Sequence, residues 1–90
     1  VLVHFQMERG RIYLMQEGKL LAELTYTDEG DYYNVDHTFV DECLRGQGVA
    51  AQLMAAYQSL LEKEQRKSTA TCSYALKWAE KHKEYATYWM

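Results

Sequence analysis

Three stretches in the first half of the chain concentrate apolar residues between polar turn segments, with only partial alternation of apolar and polar positions. They cover residues 11–16, 19–27 and 32–40 and are rich in aromatic and β-branched side chains, as is typical of half-buried strands. Glu17-Gly18 separates the first two as a tight hairpin turn, and a polar segment around Gly30 separates the second from the third. The pattern predicts an antiparallel meander of three strands. Residues 1–7 alternate more weakly and predict a short strand or an extended arm.

After Gly48 the apolar positions follow the period of an amphipathic helix that continues to about Arg66. They are Val49, Leu53, Met54, Tyr57, Leu60 and Leu61. Lys63, Arg66 and Lys67 are expected to interact favourably with the negative end of this helix. A short strand is predicted over 68–72, and Ser73 is expected to cap a second helix that ends at Glu80 or Lys81.

The order of these elements predicts the fold class. A strand, a helix and a strand in succession require two adjacent parallel strands. We therefore expect an α+β fold, in which the antiparallel meander runs into a β-α-β unit with helices packed on the sheet. The 90 residues fit one domain spanning 1–90. The aromatic tail over 84–90 is expected to fold back on the core or on a partner.

A glycine-rich segment, Leu44-Arg45-Gly46-Gln47-Gly48-Val49-Ala50, joins the third strand to the long helix. Such a turn directs backbone N–H groups and the positive end of a helix toward one small volume, which makes an anion site. The glycines permit close approach of a phosphate, and Arg45 adds a planar set of donors. No Lys-Ser/Thr follows the glycines, and the three-glycine spacing of a dinucleotide-binding turn is missing. The segment predicts a phosphorylated ligand of another class.

Composition excludes several classes of partner. Thirteen acidic against ten basic side chains give a net charge of −3, so nucleic acid is not an expected partner. The apolar runs are shorter than the roughly 18 residues of a membrane span, and the N-terminus lacks the pattern of a signal peptide. Cys43 and Cys72 are too few for a disulfide framework and have no zinc-site spacing. We expect no metal, no membrane partner and a cytoplasmic protein.

The segment Arg45-Gly46-Gln47-Gly48-Val49-Ala50 resembles the acetyl-CoA signature of the GNAT superfamily of N-acetyltransferases, Arg/Gln-x-x-Gly-x-Gly/Ala. It follows an aromatic, β-branched strand and precedes a long amphipathic helix, as that family requires. The resemblance implies a GNAT-like fold. It also implies that the backbone over 45–50 holds the pyrophosphate of acetyl-CoA or coenzyme A.

A narrower resemblance covers about Arg11 to Tyr85. The segments His37-Thr38-Phe39-Val40, Leu44 to Ala50 and Cys72-Ser73-Tyr74 are similar to those of the small, single-domain GNAT-like acetyltransferases of the YjdJ type. This resemblance implies that the backbone at Phe39 and Val40 pairs with the pantetheine arm of coenzyme A, and that the second helix lies on the other side of that arm.

Several side chains are candidates for catalysis. His37 is a candidate base for the amine, with Asp36 as a less suitable neighbour, or it is a strand histidine kept for packing. By the resemblance, Cys72 lies near the acetyl group and its thiolate is a candidate acetyl acceptor; the alternative is a small buried apolar side chain. By the resemblance, Tyr74 and Tyr85 are candidate acids for the departing coenzyme A; the alternative for each is a residue that packs against the helix. Cys43 matches no family role.

Two functions from different classes follow. The first is an acetyl-CoA-dependent N-acetyltransferase that acts on an amine of a small molecule or a protein. The second is a non-catalytic module that binds coenzyme A or acyl-CoA, because the clearest sequence signals concern the nucleotide. The aromatic tail is compatible with a monomer or a weak homodimer.

Overall fold

The computed structural model describes residues 2–90. Its strands are β1 (Gln6–Glu8), β2 (Arg11–Gln16), β3 (Lys19–Asp28), β4 (Tyr32–Val40) and β5 (Lys67–Ala70), and its α-helices are α1 (Val49–Glu64) and α2 (Ser73–Lys81). Short 3-10 turns cover Glu42–Leu44 and Lys83–Tyr85. The five strands form one sheet in sequence order. Every neighbouring pair is antiparallel except β4 and β5, which are parallel. The meander, the β-α-β unit and the α+β class are confirmed.

The first prediction of a strand falls partly outside the described residues, because Val1 is not among them. Within residues 2–8, β1 forms at Gln6–Glu8 and pairs with β2. The predicted hairpin turn at Glu17-Gly18 is confirmed, since both residues have positive φ, 51° and 78°. A two-residue hairpin needs this backbone geometry, and Gly18 adopts it without steric cost.

The register of the sheet assigns each side chain to one of two faces. Ile12 lies opposite Leu24, and Leu24 lies opposite Thr38, so this row shares one face because paired residues point the same way. Ile12 and Leu24 are fully buried in one core cluster to which α1 and α2 also contribute. The helices therefore cover one face of the sheet.

The opposite face carries mainly polar and aromatic side chains. Tyr13 lies opposite Glu23, and Glu23 lies opposite Phe39. Arg11 forms an ion pair with Glu23 at 2.8 Å and stacks over the Tyr13 ring at 3.7 Å. None of these four side chains is fully buried. This face therefore remains accessible to solvent at the strand that leads to the glycine-rich segment.

The aromatic tail folds back on the core, which is one of the two positions predicted for it. The backbone N–H of Ser68 donates to the carbonyl of Tyr88 at 2.7 Å, and the N–H of Met90 donates to the carbonyl of Ser68 at 2.9 Å. Trp89 contacts the ring of Tyr57, with 5.9 Å between ring centroids. Burial raises the pKa of the Tyr57 hydroxyl, which lies 2.7 Å from the Ser68 hydroxyl. The tail thus closes the free edge of β5.

Two details of the helices differ from the sequence predictions. Cys72, and not Ser73, occupies the N-cap of α2, and Ser73 is its first helical residue. The long helix ends at Glu64 because Gln65 adopts a left-handed conformation with φ of 54°. Only Lys63 of the three predicted basic residues lies in its last turn.

Arg66 lies beyond the end of α1, and its side chain contacts β3, β4 and the turn between them. Its guanidinium donates to the carboxylate of Asp28 and to the carbonyl of Gly30, each at 2.9 Å, and it stacks over the Tyr33 ring at 4.2 Å. The Gly30 N–H and Arg66 hold the pKa of Asp28 below its usual value. Within residues 2–90, no helix is both long enough and apolar enough to cross a membrane.

Candidate functional site

The strands β4 and β5 separate partway along their length and form a fork. They pair only over Tyr32–Val35 and Lys67–Ala70 in the described chain. At the root of the fork the carbonyl of Val35 accepts hydrogen bonds from the N–H groups of Thr71 and Cys72, at 2.9 and 3.2 Å. Beyond this point β4 continues to Val40, whereas the other strand has turned into α2. Within residues 2–90, no strand pairs with the edge of β4 that faces away from β3 from residue 36 to residue 40.

A β-bulge in β4 coincides with the fork. Val35 lies opposite Tyr26 and His37 lies opposite Thr25, so Asp36 is the additional residue between them. The Thr25 hydroxyl donates to the Asp36 carboxylate at 2.5 Å. A bulge bends its strand and re-aims the side chains that follow. It therefore helps β4 to diverge from β5.

The candidate side chains at the fork lie on both faces of the sheet. Thr38 belongs to the helix-covered face, and its hydroxyl lies 3.4 Å from the sulfur of Cys72. His37 and Phe39 lie opposite Thr25 and Glu23 and therefore point to the other face, where His37 is exposed. The structure thus places Cys72 inside the fork and His37 beside its opening on the opposite face.

A groove of about 180 Å³ follows the glycine-rich segment to the start of α1. It is lined by the end of β4, most of the segment, the first turn of α1 and one residue of α2: Val40, Leu44, Arg45, Gly46, Gly48, Val49, Ala50, Ala51 and Tyr74. The structure therefore brings most of the predicted cofactor-binding residues together with Tyr74. Phe39 and Gln47 are adjacent to the groove in sequence but do not line it.

The groove is suited to an anion because of its backbone. Gly48 is the N-cap of α1 with φ of 76°, and a glycine has no side chain to cap this end of the helix. The first N–H groups of a helix have no partner within the helix, so they are directed at the groove mouth together with the positive end of the helix. A Cβ atom added to Gly46 or Gly48 would meet nothing within 4 Å. The space beside both glycines is open.

Side chains of the segment hold its shape. Arg45 donates through Nε to the carbonyl of Val40 at 3.4 Å and is otherwise exposed. Gln47 donates to the carbonyl of Cys43 at 3.3 Å.

Asp41 and Cys43 interact just before the segment. The Cys43 thiol and N–H hold the pKa of the Asp41 carboxyl below its usual value. The same carboxylate raises the pKa of the Cys43 thiol, so this cysteine is kept as a neutral thiol.

The two candidate acids have different surroundings. Tyr74 lines the groove, is 37% exposed, and has a pKa raised by burial. Tyr85 stacks on Trp78, with 5.9 Å between ring centroids, and packs against the core. Of the two, only Tyr74 lies in the groove.

Sequence reasoning assigned no individual role to Thr38 and considered Asp36 only as a less suitable base than its neighbour His37. Asp36 forms the bulge, and Thr38 contacts Cys72. The position of Thr38 opposite the buried Leu24 follows from the strand register, which only the assembled sheet shows. The bulge likewise has no signal in the sequence, because an extra residue in a strand leaves the composition of that strand unchanged.

The comparisons with known proteins identify a family. Residues 9–88 match the family model described as GCN5-related N-acetyl-transferase. The solution structure of a GCN5-like protein from Staphylococcus aureus superposes with a TM-score of 0.80 at 30% sequence identity, covering 97% of this chain and 87% of that one. No match is found among curated proteins.

Two larger enzymes share the fold. The ribosomal-protein-S18-alanine N-acetyltransferase of Escherichia coli has a TM-score of 0.65 at 23% identity, with 84% of this chain and 53% of that chain covered. The ribosomal-protein-alanine N-acetyltransferase of Brucella melitensis has a TM-score of 0.61 at 19% identity, with 83% and 63% covered. At these identities the likeness is one of fold alone. The chain spans about half the length of the E. coli enzyme.

Proposed function

Because the chain belongs to the GCN5-related N-acetyltransferase family, we propose that it transfers an acetyl group from acetyl-CoA to an amine. The observation that carries this proposal is the continuity of two features, the groove at the glycine-rich segment and the edge of β4 that faces away from β3. Val40 belongs to both. A single elongated ligand with an anionic end would therefore reach from the start of α1 to the fork.

Groups of this chain fit both the pyrophosphate and the pantetheine arm of acetyl-CoA. In our proposal the backbone N–H groups over 46–50 and the Arg45 guanidinium hold the pyrophosphate, because they combine a helix N-terminus with a cation. The side chain of Gln47 keeps the turn in shape. In our proposal the edge of β4 that faces away from β3, at Phe39 and Val40, hydrogen-bonds to the pantetheine arm as an added strand would, and the Arg45 side chain gives up its bond to the Val40 carbonyl when the ligand binds. When bound, acetyl-CoA supplies an acetyl group activated as a thioester.

The proposed chemistry divides among three side chains. Cys72 lies in the fork and is the proposed acceptor of the acetyl group before the amine takes it. Tyr74 lines the groove, and its raised pKa keeps the hydroxyl protonated and able to serve as the acid for the departing thiolate. His37 is the proposed base for the amine, which approaches from the exposed face of the sheet.

The proposed acceptor is an amine, and the proposed location of the protein is the cytoplasm. Members of this family act on amines, and the open face at His37 suits an amine of a small molecule or of a protein. We place the activity in the cytoplasm because Cys43 and Cys72 are free thiols. We propose one domain over 1–90, acting as a monomer or a weak homodimer.

A binding experiment and a transfer experiment test the proposal. The midpoint of thermal unfolding should rise with acetyl-CoA and with coenzyme A, since a ligand at about 100 times its Kd adds about 2.7 kcal/mol of stability. Release of coenzyme A, followed by chromatography, should then exceed spontaneous hydrolysis with at least one amine of a panel. The absence of any thermal shift would contradict the proposal. A shift without amine-dependent release would favour a non-catalytic coenzyme A binding module.

A further inference from the structure

Thr38 contacts the candidate nucleophile across the fork. Its hydroxyl oxygen lies 3.4 Å from the Cys72 sulfur in a partly buried position, and the two residues are 34 positions apart in sequence. Thr38 lies in β4, whereas Cys72 follows β5. The divergence of these strands leaves room for the two side chains to meet, so the contact is a product of the fork.

The Cys72 sulfur does not accept a capping hydrogen bond from the backbone of α2. Cys72 is the N-cap of α2, a position from which side chains commonly accept a hydrogen bond from the helix backbone. Its side chain makes no such bond and is directed to Thr38 instead. The Cys72 N–H donates to the carbonyl of Val35 at 3.2 Å. The backbone at the root of the fork and the Thr38 hydroxyl together fix the position of the sulfur.

Ionisation of the cysteine changes the character of this contact. Between two neutral groups either atom can donate the proton, but a thiolate has none and can only accept. The Thr38 hydroxyl must then be the donor, and hydrogen bonds to a charged acceptor are stronger than neutral ones. The other titratable side chains along the fork are Asp36 and His37, directed to the opposite face by the register, and Tyr74, which lines the groove.

We propose that Thr38 is a positioning residue that holds the Cys72 sulfur in the fork and donates a hydrogen bond to its thiolate. This proposal rests on the proposed function, in which Cys72 carries the acetyl group. In that step the thiolate attacks the carbonyl carbon of the acetyl thioester, the carbon–sulfur bond to coenzyme A breaks, and the departing thiolate takes a proton. The amine then attacks the acetyl-cysteine, forms the amide, loses a proton and returns the Cys72 thiolate.

The test measures the reactivity of Cys72 without acetyl-CoA. Alkylation by iodoacetamide is followed against pH in a Cys43→Ser background, so that Cys72 is the only thiol. Thr38→Val keeps the shape of the side chain and removes the hydroxyl, and we expect its alkylation below the midpoint of the profile to be about tenfold slower, because a hydrogen bond to a charged acceptor is lost. Thr38→Ser keeps the hydroxyl and should retain the parent profile.

Two outcomes would overturn the role of Thr38. One is an unchanged profile in Thr38→Val, and the other is an equal slowing in Thr38→Ser, which would assign the effect to packing. Circular dichroism checks folding, and Thr38→Ala, with the same expectation, replaces Thr38→Val where that variant fails to fold. Mass spectrometry after rapid quench with acetyl-CoA decides separately whether Cys72 is acetylated. Slower alkylation without acetyl-cysteine supports the contact proposed here and contradicts the covalent route.

Discussion

At the scale of single residues, Gly48 offers a way to separate phosphate binding from backbone strain. Its φ of 76° is unfavourable for any residue with a Cβ, and the space beside it is open. We expect Gly48→Ala to lower the free energy of unfolding by about 1–2 kcal/mol, the cost of a left-handed alanine. The Kd for coenzyme A should rise at least about tenfold, because the methyl group keeps a phosphate from the first N–H groups of the helix.

Gly18 provides a matched control for this variant. It has φ of 78°, and a Cβ there would also meet nothing within 4 Å, but it lies in the hairpin turn between β2 and β3. Gly18→Ala should therefore lose similar stability in urea unfolding and bind coenzyme A as the parent does. Calorimetric Kd values that change equally in both variants would show that Gly48 serves the fold and not the ligand.

At the scale of elements, the sequence predicted the periodic features well and the irregular ones poorly. Helix α1 and strands β2 to β4 carry clear periods, so their existence and order could be predicted. The cap of α2 was misassigned because Cys72 caps through backbone geometry without a side-chain bond, whereas serine has the stronger preference for capping. The fork depends on the bulge at Asp36 and on the length over which β5 pairs. These are properties of the assembled sheet, and no local pattern reports them.

The tail is an element whose contribution to stability can be measured. Trp89 donates from its indole N–H to the side-chain amide oxygen of Gln58 at 2.8 Å and contacts Tyr57. Because the ring is only partly buried, we expect Trp89→Ala to lower the free energy of unfolding by about 2 kcal/mol. Trp89→Phe, which keeps a ring and loses the N–H donor, should lose about 1 kcal/mol. Urea unfolding of both variants checks the order, and parent-like stability in both would contradict the packed position of the tail.

At the scale of the whole molecule, the sheet separates the cofactor groove from the proposed acceptor side. The helices, the groove and Cys72 share the covered face, whereas His37 points to the exposed one. The gap in the fork joins the two sides, so a thioester held there would be accessible to an amine from the face opposite the helices. This arrangement predicts that binding of coenzyme A and activation of the amine can be impaired independently.

His37→Gln tests that separation, since it removes the proposed base on the exposed face and leaves the groove intact. The turnover number for the best amine should fall by about a hundredfold or more, the usual contribution of a general base. The calorimetric Kd for coenzyme A should stay within about twofold, because the groove and the edge of β4 that faces away from β3 keep their donors. His4→Gln is the matched control, because His4 is an exposed histidine of the N-terminal segment and its replacement should change neither quantity. Parent-like turnover in His37→Gln would show that the amine loses its proton elsewhere, and a weakened Kd would show that the two faces are not independent.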